Sequence, residues 1–202
     1  LKYYPGDLSK VHVIPYGFPH PVDKRIYDNI ENRKLRLLFV GGLSQRKGIA
    51  NLFEAVDMLS DYVDLTIVGR RSVTDCDILN RKLSEHRWIE SMSHSDILKI
   101  MSQNDVLVFP SLFEGFGLVI NEAMSQGTPV ITTDRTVGPD IITSGENGWL
   151  IDAGSTNSLY LQLEMLLYNK SQIKAVGKQA LERAKERTWI DYATELTMAI
   201  IG

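Results

Sequence analysis

The chain has 202 residues, of which 22 are basic and 25 acidic, and its formal net charge is −3. This length suits one well-packed domain, and the slight acidic excess argues against a nucleic-acid binder, which usually carries excess basic charge. The single cysteine, Cys76, excludes an internal disulfide and predicts a reducing, cytoplasmic setting. No apolar run approaches the roughly 20 residues that a transmembrane helix needs.

The first 34 residues predict a connecting segment rather than part of a core. A short β-like run at Val11–Pro15 precedes a turn-rich stretch that ends at Pro21. A charged, weakly helical stretch then covers Lys24–Lys34. We predict that residues 1–34 form an interdomain segment with a first short strand, and that residues 35–202 form one α/β domain with a helical tail. Because the sequence opens at Leu1 like the middle of a protein, we expect it to be part of a larger one.

From residue 35 onwards, apolar runs of strand length alternate with runs of helical periodicity. The predicted strands are Leu35–Val40, Tyr62–Val68, Trp88–Ile89, Val106–Phe109, Thr128–Thr133 and Trp149–Ile151. The predicted helices cover residues 49–59, 78–83, 97–101, 118–124, 159–168, 173–187 and 189–201. This alternation predicts a doubly wound parallel sheet with right-handed crossovers and additional C-terminal helices.

Two glycine-bearing loops follow strands of this predicted sheet, so both belong at the edge where such sheets bind ligands. The first, Gly41–Gly48, is neither a G-x-G-x-x-G fingerprint nor a Walker A loop. It does offer a helix N-terminus and two cations, Arg46 and Lys47, which suit a diphosphate. The alternative interpretation is a plain turn with two solvated basic residues.

The second loop carries a carboxylate on a tight turn. Gly115 and Gly117 permit a sharp turn and close approach of a ligand to the backbone. Glu114 lies before the predicted helix and Glu122 lies inside it. The free backbone N–H groups at the helix start therefore lie between two carboxylates that can accept hydrogen bonds from hydroxyl groups. That arrangement suits a phosphate that bears a sugar. Both glutamates could instead be surface acids, the usual position of this residue; we favour hydroxyl recognition for at least one of them.

Other candidate motifs are weaker. The acidic pair in Asp75-Cys76-Asp77 matches a short metal-binding pattern, but it opens a predicted helix, where capping is the better interpretation. The four histidines are scattered without metal-ligand spacing, and His94 is interpreted as a surface or near-cap residue. Met92 lies in a loop at the binding edge and could contact a base. We therefore expect no metal site.

The second loop and its helix together resemble a known signature. Glu114-x7-Glu122, within Pro110-Ser-x-x-Glu-Gly-Phe-Gly-Leu-x-x-x-Glu-Ala-Met-x-x-Gly-x-Pro-Val-Ile131, is similar to that of glycosyltransferase family 4. These are retaining, nucleotide-sugar-dependent enzymes of the two-domain GT-B fold. Residues 13–17 resemble their interdomain segment, residues 39–48 their phosphate loop and residues 145–148 a later turn. The resemblance covers only the C-terminal, donor-binding half, so it implies an absent N-terminal acceptor domain.

The resemblance also implies site residues. Lys47 would bind the donor diphosphate and stabilise the leaving group, and Glu114 would contact the sugar near the reacting carbon, so these two are the predicted catalytic residues. Backbone N–H groups of residues 116–118 would hold phosphate or sugar oxygens, Glu122 the ribose hydroxyls, and the loop around Met92 the base. The predicted substrate-binding set is Gly42, Arg46, Lys47, Met92, Glu114, Gly115, Phe116, Gly117, Leu118 and Glu122.

One departure from the family pattern concerns the phosphate loop. Many members have an arginine where this chain has Gly42, and Arg46 is the residue that could supply that charge instead. Fixed cations and a helix N-terminus stabilise the charge that develops on a departing nucleoside diphosphate. With cations in that role no metal or other cofactor is required, and the family is usually metal-independent.

The leading hypothesis is therefore the donor-binding domain of a retaining glycosyltransferase that uses a UDP, GDP or ADP sugar. The fragment alone is expected to be inactive, because its partner, the acceptor-binding domain, is absent. We expect a cytoplasmic protein without nucleic-acid partners, whose contact with the inner face of a membrane, if any, is made by the missing domain. The alternatives are a nucleotide-sugar 2-epimerase of the GT-B type and a non-catalytic module that binds a ligand or partner through a degenerate site.

Overall fold

A computed structural model describes residues 6–7 and 11–201 and contains one six-stranded parallel sheet. In chain order the strands are β1 Leu35–Val40, β2 Val63–Val68, β3 Arg87–Ile89, β4 Val106–Phe109, β5 Val130–Thr133 and β6 Trp149–Ile151. Their order across the sheet is β3-β2-β1-β4-β5-β6, and every neighbouring pair is parallel. The predicted Rossmann-like α/β fold is confirmed.

Helices connect the strands and form the tail. They are α1 Ile49–Asp57, α2 Asp77–Ser84, α3 His94–Met101, α4 Leu118–Ser125, α5 Gly138–Ile141, α6 Thr156–Tyr168, α7 Ser171–Lys185 and α8 Trp189–Ile201. A 3-10 turn at Gln45–Lys47 precedes α1. Two pairs of helices pack against each other, α1 against α6 and α4 against α7, and α4 also contacts β4 and β5, which are buried at every position. No helix in the described part of the chain is long and apolar enough to cross a membrane.

The strand order sets the position of the two glycine loops. The chain runs outwards from β1 to β2 and β3, then returns to place β4 on the other side of β1. The order of strands therefore reverses between β1 and β4, which is the switch point where open α/β sheets bind ligands. Both glycine loops begin there, because one follows Val40 and the other follows Phe109.

The segment before β1 differs from the prediction. Residues 11–34 are all described, and they contain no strand and no helix, so the strand predicted at Val11–Pro15 and the helical tendency of Lys24–Lys34 are both wrong. The side chains of this segment instead bond distant parts of the domain. Tyr27 Oη donates to the Gly127 carbonyl at 2.9 Å, and Arg33 binds both carboxylate oxygens of Asp105 at 2.6 and 2.8 Å. These bonds hold the segment against the domain although it has no regular secondary structure.

Residues 15–18 of the N-terminal segment run alongside the start of α8. Phe18 N donates to the Arg187 carbonyl at 2.9 Å, and the Arg187 guanidinium donates to the Pro15 carbonyl at 2.8 and 3.0 Å. Tyr16 then packs its ring against Trp189 of α8 at 5.5 Å and against Phe116 of the second glycine loop at 4.8 Å. The N-terminal segment is thus tied both to the tail helix and to the loop after β4.

Candidate functional site

The loop after β1 is pressed against the end of β4. Gly41 N donates to the Val68 carbonyl at 2.9 Å, which continues the pairing with β2. Gly48, between the 3-10 turn and α1, has a φ of 69°, and a Cβ there would lie 2.0 Å from the Pro110 carbonyl oxygen. Only glycine fits such a left-handed position with the backbone so close. This contact brings Arg46 and Lys47, the two residues before it, over the second loop.

Both cations converge on one oxygen of Glu114. Glu114 Oε1 lies 2.6 Å from Lys47 Nζ, 2.8 Å from Arg46 Nη1 and 2.6 Å from Ser111 Oγ. The Glu114 side chain is 9% exposed and that of Lys47 15%, whereas that of Arg46 is 52% exposed. The structure therefore brings the two predicted catalytic residues into direct contact and adds a hydroxyl that the sequence interpretation left out.

This environment keeps Glu114 ionised. Burial raises the pKa of the Glu114 carboxyl, but hydrogen bonds from Lys47 and Ser111, with the charges of Lys47 and Arg46, outweigh burial. The net result is a pKa below its usual value. Since an ionised carboxylate satisfies both cations in the structure, a second anion at this place would have to compete with Glu114 for them.

The turn that follows Glu114 is fixed by its backbone. Glu114 N donates to the Arg135 carbonyl at 3.0 Å, and Val137 N donates to the Phe116 carbonyl at 2.8 Å. Gly117, with a φ of 99°, is the N-cap of α4 and provides no side-chain cap, so the helix begins at Leu118 with its first N–H groups uncapped by a side chain. Uncapped N–H groups at a helix start bind anions.

The two other predicted phosphate-site glycines are open to approach. A Cβ added at Gly42 or at Gly115 would meet no atom within 4 Å among the described residues. Both residues are exposed. A ligand could therefore contact the backbone at either position, and a Cβ at residue 42 would meet no steric barrier from the described part of the domain.

Glu122, the residue predicted to bind the ribose, lies in a separate cluster of side chains. Glu122 occupies the fifth position of α4, and its Oε1 lies 3.1 Å from Nε2 of His94, the first residue of α3. Ser93 caps α3 by accepting a hydrogen bond from Asp96 N, which fixes the start of that helix. Met92 precedes this cap and packs half-buried against the core. The structure therefore groups Met92, His94 and Glu122 around the start of α3.

Sequence reasoning overlooked two of these polar residues. Ser111 precedes Glu114 by three residues within a turn, and that spacing in the Pro-Ser-x-x-Glu motif could have indicated it. His94 was interpreted as a surface or near-cap residue, and its contact with Glu122 depends on how α3 packs beside α4. The capping predicted at the acidic pair is also corrected: α2 has no side-chain cap, although Asp77 lies in its first turn.

A possible metal-ligand group lies elsewhere. Within the described residues, one group of three, Asp57, Glu85 and His86, offers ligand atoms within 4.8 Å of one another. Lys82 Nζ already lies 2.7 Å from a carboxylate oxygen of each acid. This group stands at the N-terminal end of β3, at the sheet edge opposite the glycine loops. The expectation that the donor site needs no metal stays a prediction.

The parallel sheet and its flanking helices define a Rossmann-like α/β domain, and two cations, a carboxylate and an uncapped helix start lie at its switch point. Residues 23–183 match the family described as glycosyl transferases group 1. The chain belongs to this family, and its fold is that of the GT-B glycosyltransferases. The resemblance seen in the central motif is thereby confirmed at the level of group 1 and the GT-B fold.

Individual relatives agree with this assignment. The chain is 31% identical over 224 residues to the D-inositol 3-phosphate glycosyltransferase of Corynebacterium glutamicum, covering 98% of this chain and 53% of that protein. It is similar in structure to sucrose-phosphate synthase from Thermosynechococcus elongatus, with a TM-score of 0.79, 24% identity and coverage of 93% and 51%. It is also similar to Anabaena HepE, crystallised with UDP and glucose, with a TM-score of 0.75, 19% identity and coverage of 85% and 49%. The chain thus spans about half the length of the curated relatives it matches.

Proposed function

We propose that this chain is the donor-binding domain of a retaining glycosyltransferase, which transfers a sugar from a nucleoside-diphosphate sugar to an acceptor bound by a further domain. The observation that carries the proposal is the convergence of Lys47 and Arg46 on Glu114 beside the uncapped start of α4. Anabaena HepE, which shares the fold, was crystallised with UDP and glucose, and this supports a nucleotide sugar as the ligand class.

In the proposed reaction, the donor diphosphate takes the place of Glu114 as the anion that Lys47 and Arg46 bind. The two cations and the first N–H groups of α4 then stabilise the negative charge that grows on the leaving nucleoside diphosphate. Because these charges are fixed before the bond breaks, they act without a metal ion. Released from the cations, the Glu114 carboxylate is available to the hydroxyl groups of the sugar.

The nucleoside is proposed to lie towards the start of α3. Glu122 accepts hydrogen bonds from the ribose hydroxyls, for which it exchanges its contact with His94, and the loop around Met92 lines the base. UDP, GDP and ADP share the ribose and the diphosphate, so these contacts bind all three. The proposed setting is the cytoplasm, with any membrane contact made by the further domain.

A nucleotide titration tests this proposal. Isothermal calorimetry of the chain with UDP, GDP, ADP and their sugars is expected to show binding of at least one of them. Lys47→Ala should weaken that binding by about tenfold or more, because it removes a charge-assisted bond to the diphosphate. Lys174→Ala is the matched control, since this exposed lysine lies on α7, away from the loops; it should bind as the wild type does.

The competing hypotheses give other results. Absence of binding by every nucleotide at millimolar concentration would contradict the proposal and favour a degenerate, non-catalytic site. The epimerase alternative is not favoured by the family match. Detection of an isomerised nucleotide sugar among the products of the protein that carries this chain would indicate an epimerase. Binding that depends on added Mg²⁺ and is lost on chelation would contradict the metal-independent mechanism.

A further inference from the structure

Ser111 is the buried residue that connects the two glycine loops. It follows β4 by two positions and is 0% exposed. Its carbonyl accepts a hydrogen bond of 2.6 Å from Thr133 Oγ1 at the end of β5, which fixes its backbone. Its hydroxyl lies 2.6 Å from Glu114 Oε1, 3.0 Å from the Arg46 carbonyl and 3.3 Å from the Phe113 carbonyl.

The Ser111 hydroxyl has one hydrogen and therefore donates one full hydrogen bond. An ionised carboxylate is the strongest of its three neighbouring acceptors, and it is also the closest. Ser111 is therefore a donor to Glu114, and the two carbonyl oxygens only border the hydroxyl. Of the three donors that meet at Glu114 Oε1, this one carries no charge and stands on fixed, buried backbone.

These three donors respond differently to an incoming diphosphate. Lys47 and Arg46 carry their charges at the ends of long side chains with several rotatable bonds, so both charged groups can turn towards phosphate oxygens. Ser111 is neutral and buried, and its backbone is held by Thr133. When the cations leave Glu114, the hydroxyl is the partner that stays.

We propose that Ser111 is a positioning residue that holds the Glu114 carboxylate, ionised and in place for the sugar, once Lys47 and Arg46 bind the diphosphate. This inference rests on the proposed function and adds a residue to it. Without the hydroxyl, the carboxylate would lose the last of these three protein donors beside a phosphate of like charge. It would then turn away from the site or take up a proton.

The test uses the protein that carries this chain, assayed for sugar transfer across a range of pH. Ser111→Ala should lower kcat by about 10- to 100-fold, the loss expected for one hydrogen bond to a charged group, while the donor KM changes far less. Because the Ser111 bond lowers the pKa of Glu114, its removal raises that pKa, and the acid limb of the kcat profile should move to higher pH.

Two variants separate positioning from a structural effect. Ser111→Thr keeps a hydroxyl and should restore the acid limb towards that of the wild type. Thr128→Val removes another buried hydroxyl, which donates to the Met101 carbonyl at 2.7 Å at the opposite end of β5, and should leave both kcat and the acid limb unchanged. If Ser111→Ala does not fold, Ser111→Cys replaces the hydroxyl by a weaker thiol donor and should move the acid limb to higher pH, and an unmoved limb in that variant would overturn the proposal.

Nucleotide titration distinguishes the two possible failures. If no nucleotide binds the wild-type protein, the proposed function is refuted and the role of Ser111 with it. If nucleotide binds but Ser111→Ala keeps the kcat and the acid limb of the wild type, only the positioning role is refuted. A lower kcat with an unmoved acid limb would likewise overturn it, because a purely structural role does not alter the titration of Glu114.

Discussion

Replacing Glu114 by glutamine removes the negative charge that Lys47 and Arg46 bind, while it keeps the length and shape of the side chain. The nucleoside diphosphate then no longer competes with an internal carboxylate for these cations. We therefore expect Glu114→Gln to bind a nucleoside diphosphate more tightly than the wild type does, although sugar transfer should fall.

The size of the expected gain in nucleotide affinity can be estimated from how deeply the two ion pairs of Glu114 are buried. An exposed ion pair is worth about 0–1 kcal/mol, and the contact of Arg46, whose side chain is 52% exposed, belongs to that class. The Lys47 and Glu114 side chains are only 15% and 9% exposed, so their contact resembles a hydrogen bond between charged, buried groups, worth about 1.5–3 kcal/mol. At about 1.4 kcal/mol for each factor of ten, the expected gain is roughly 10- to 100-fold in the Kd for UDP or GDP.

Calorimetric titration of the chain near neutral pH measures this directly. Glu122→Gln is the matched control, because it neutralises the other carboxylate of the proposed site and should weaken binding by replacing a charged acceptor of the ribose hydroxyls with a weaker, neutral amide. Without nucleotide, Glu114→Gln should also melt at a lower temperature than the wild type, since Lys47 loses its partner, and saturating nucleotide should reverse that difference. Unchanged or weaker binding of the diphosphate by Glu114→Gln would refute the idea that Glu114 competes with the ligand.

Two further predictions concern the phosphate loop and the N-terminal segment. Gly42→Arg should fold normally, because an added Cβ meets nothing within 4 Å, and should tighten binding of UDP or GDP by about two- to tenfold; a loss of affinity would show that an arginine at this position cannot reach the diphosphate. Asp105→Asn should cost about 3 kcal/mol of unfolding free energy near neutral pH, because it removes the buried carboxylate bound by Arg33 and Arg36. Burial raises the pKa of Asp105, but these partners outweigh burial and lower it, so its stabilisation exists above the unfolded pKa of about 3.9 and is lost as pH falls through the folded value. Denaturant titrations should therefore show the two proteins converging below about pH 4, and a constant difference would contradict this account.

The sheet was predictable because its central strands are almost entirely buried. Strands such as Val106–Phe109 read as continuous apolar runs, and this pattern requires no knowledge of the neighbours. The segment before β1 was not predictable for the opposite reason. Side-chain bonds from Tyr27 and Arg33 hold it against residues about 70 to 100 positions away, and local propensity carries no information about such partners.

The candidate site was likewise predictable in its residue types but not in their contacts. The residue types at positions 46, 47 and 114 follow from a recognisable motif, but their contact depends on strand order, because β1 and β4 are neighbours only through the reversal of the sheet. The sequence thus supplied the charged groups of the site. It could not show that the carboxylate binds both cations, or that a serine three residues earlier completes the cluster.

The contact of Gly48 with the Pro110 carbonyl has a practical consequence for redesign. Leu112 N also donates to the Arg46 carbonyl at 2.8 Å, so the loops after β1 and β4 are packed against each other through their backbones. If only one loop were transplanted from a relative with another donor preference, its backbone would not fit the backbone of the remaining loop where the two are in contact. The two loops should therefore be exchanged together, and natural changes of donor within such domains should alter both loops in step.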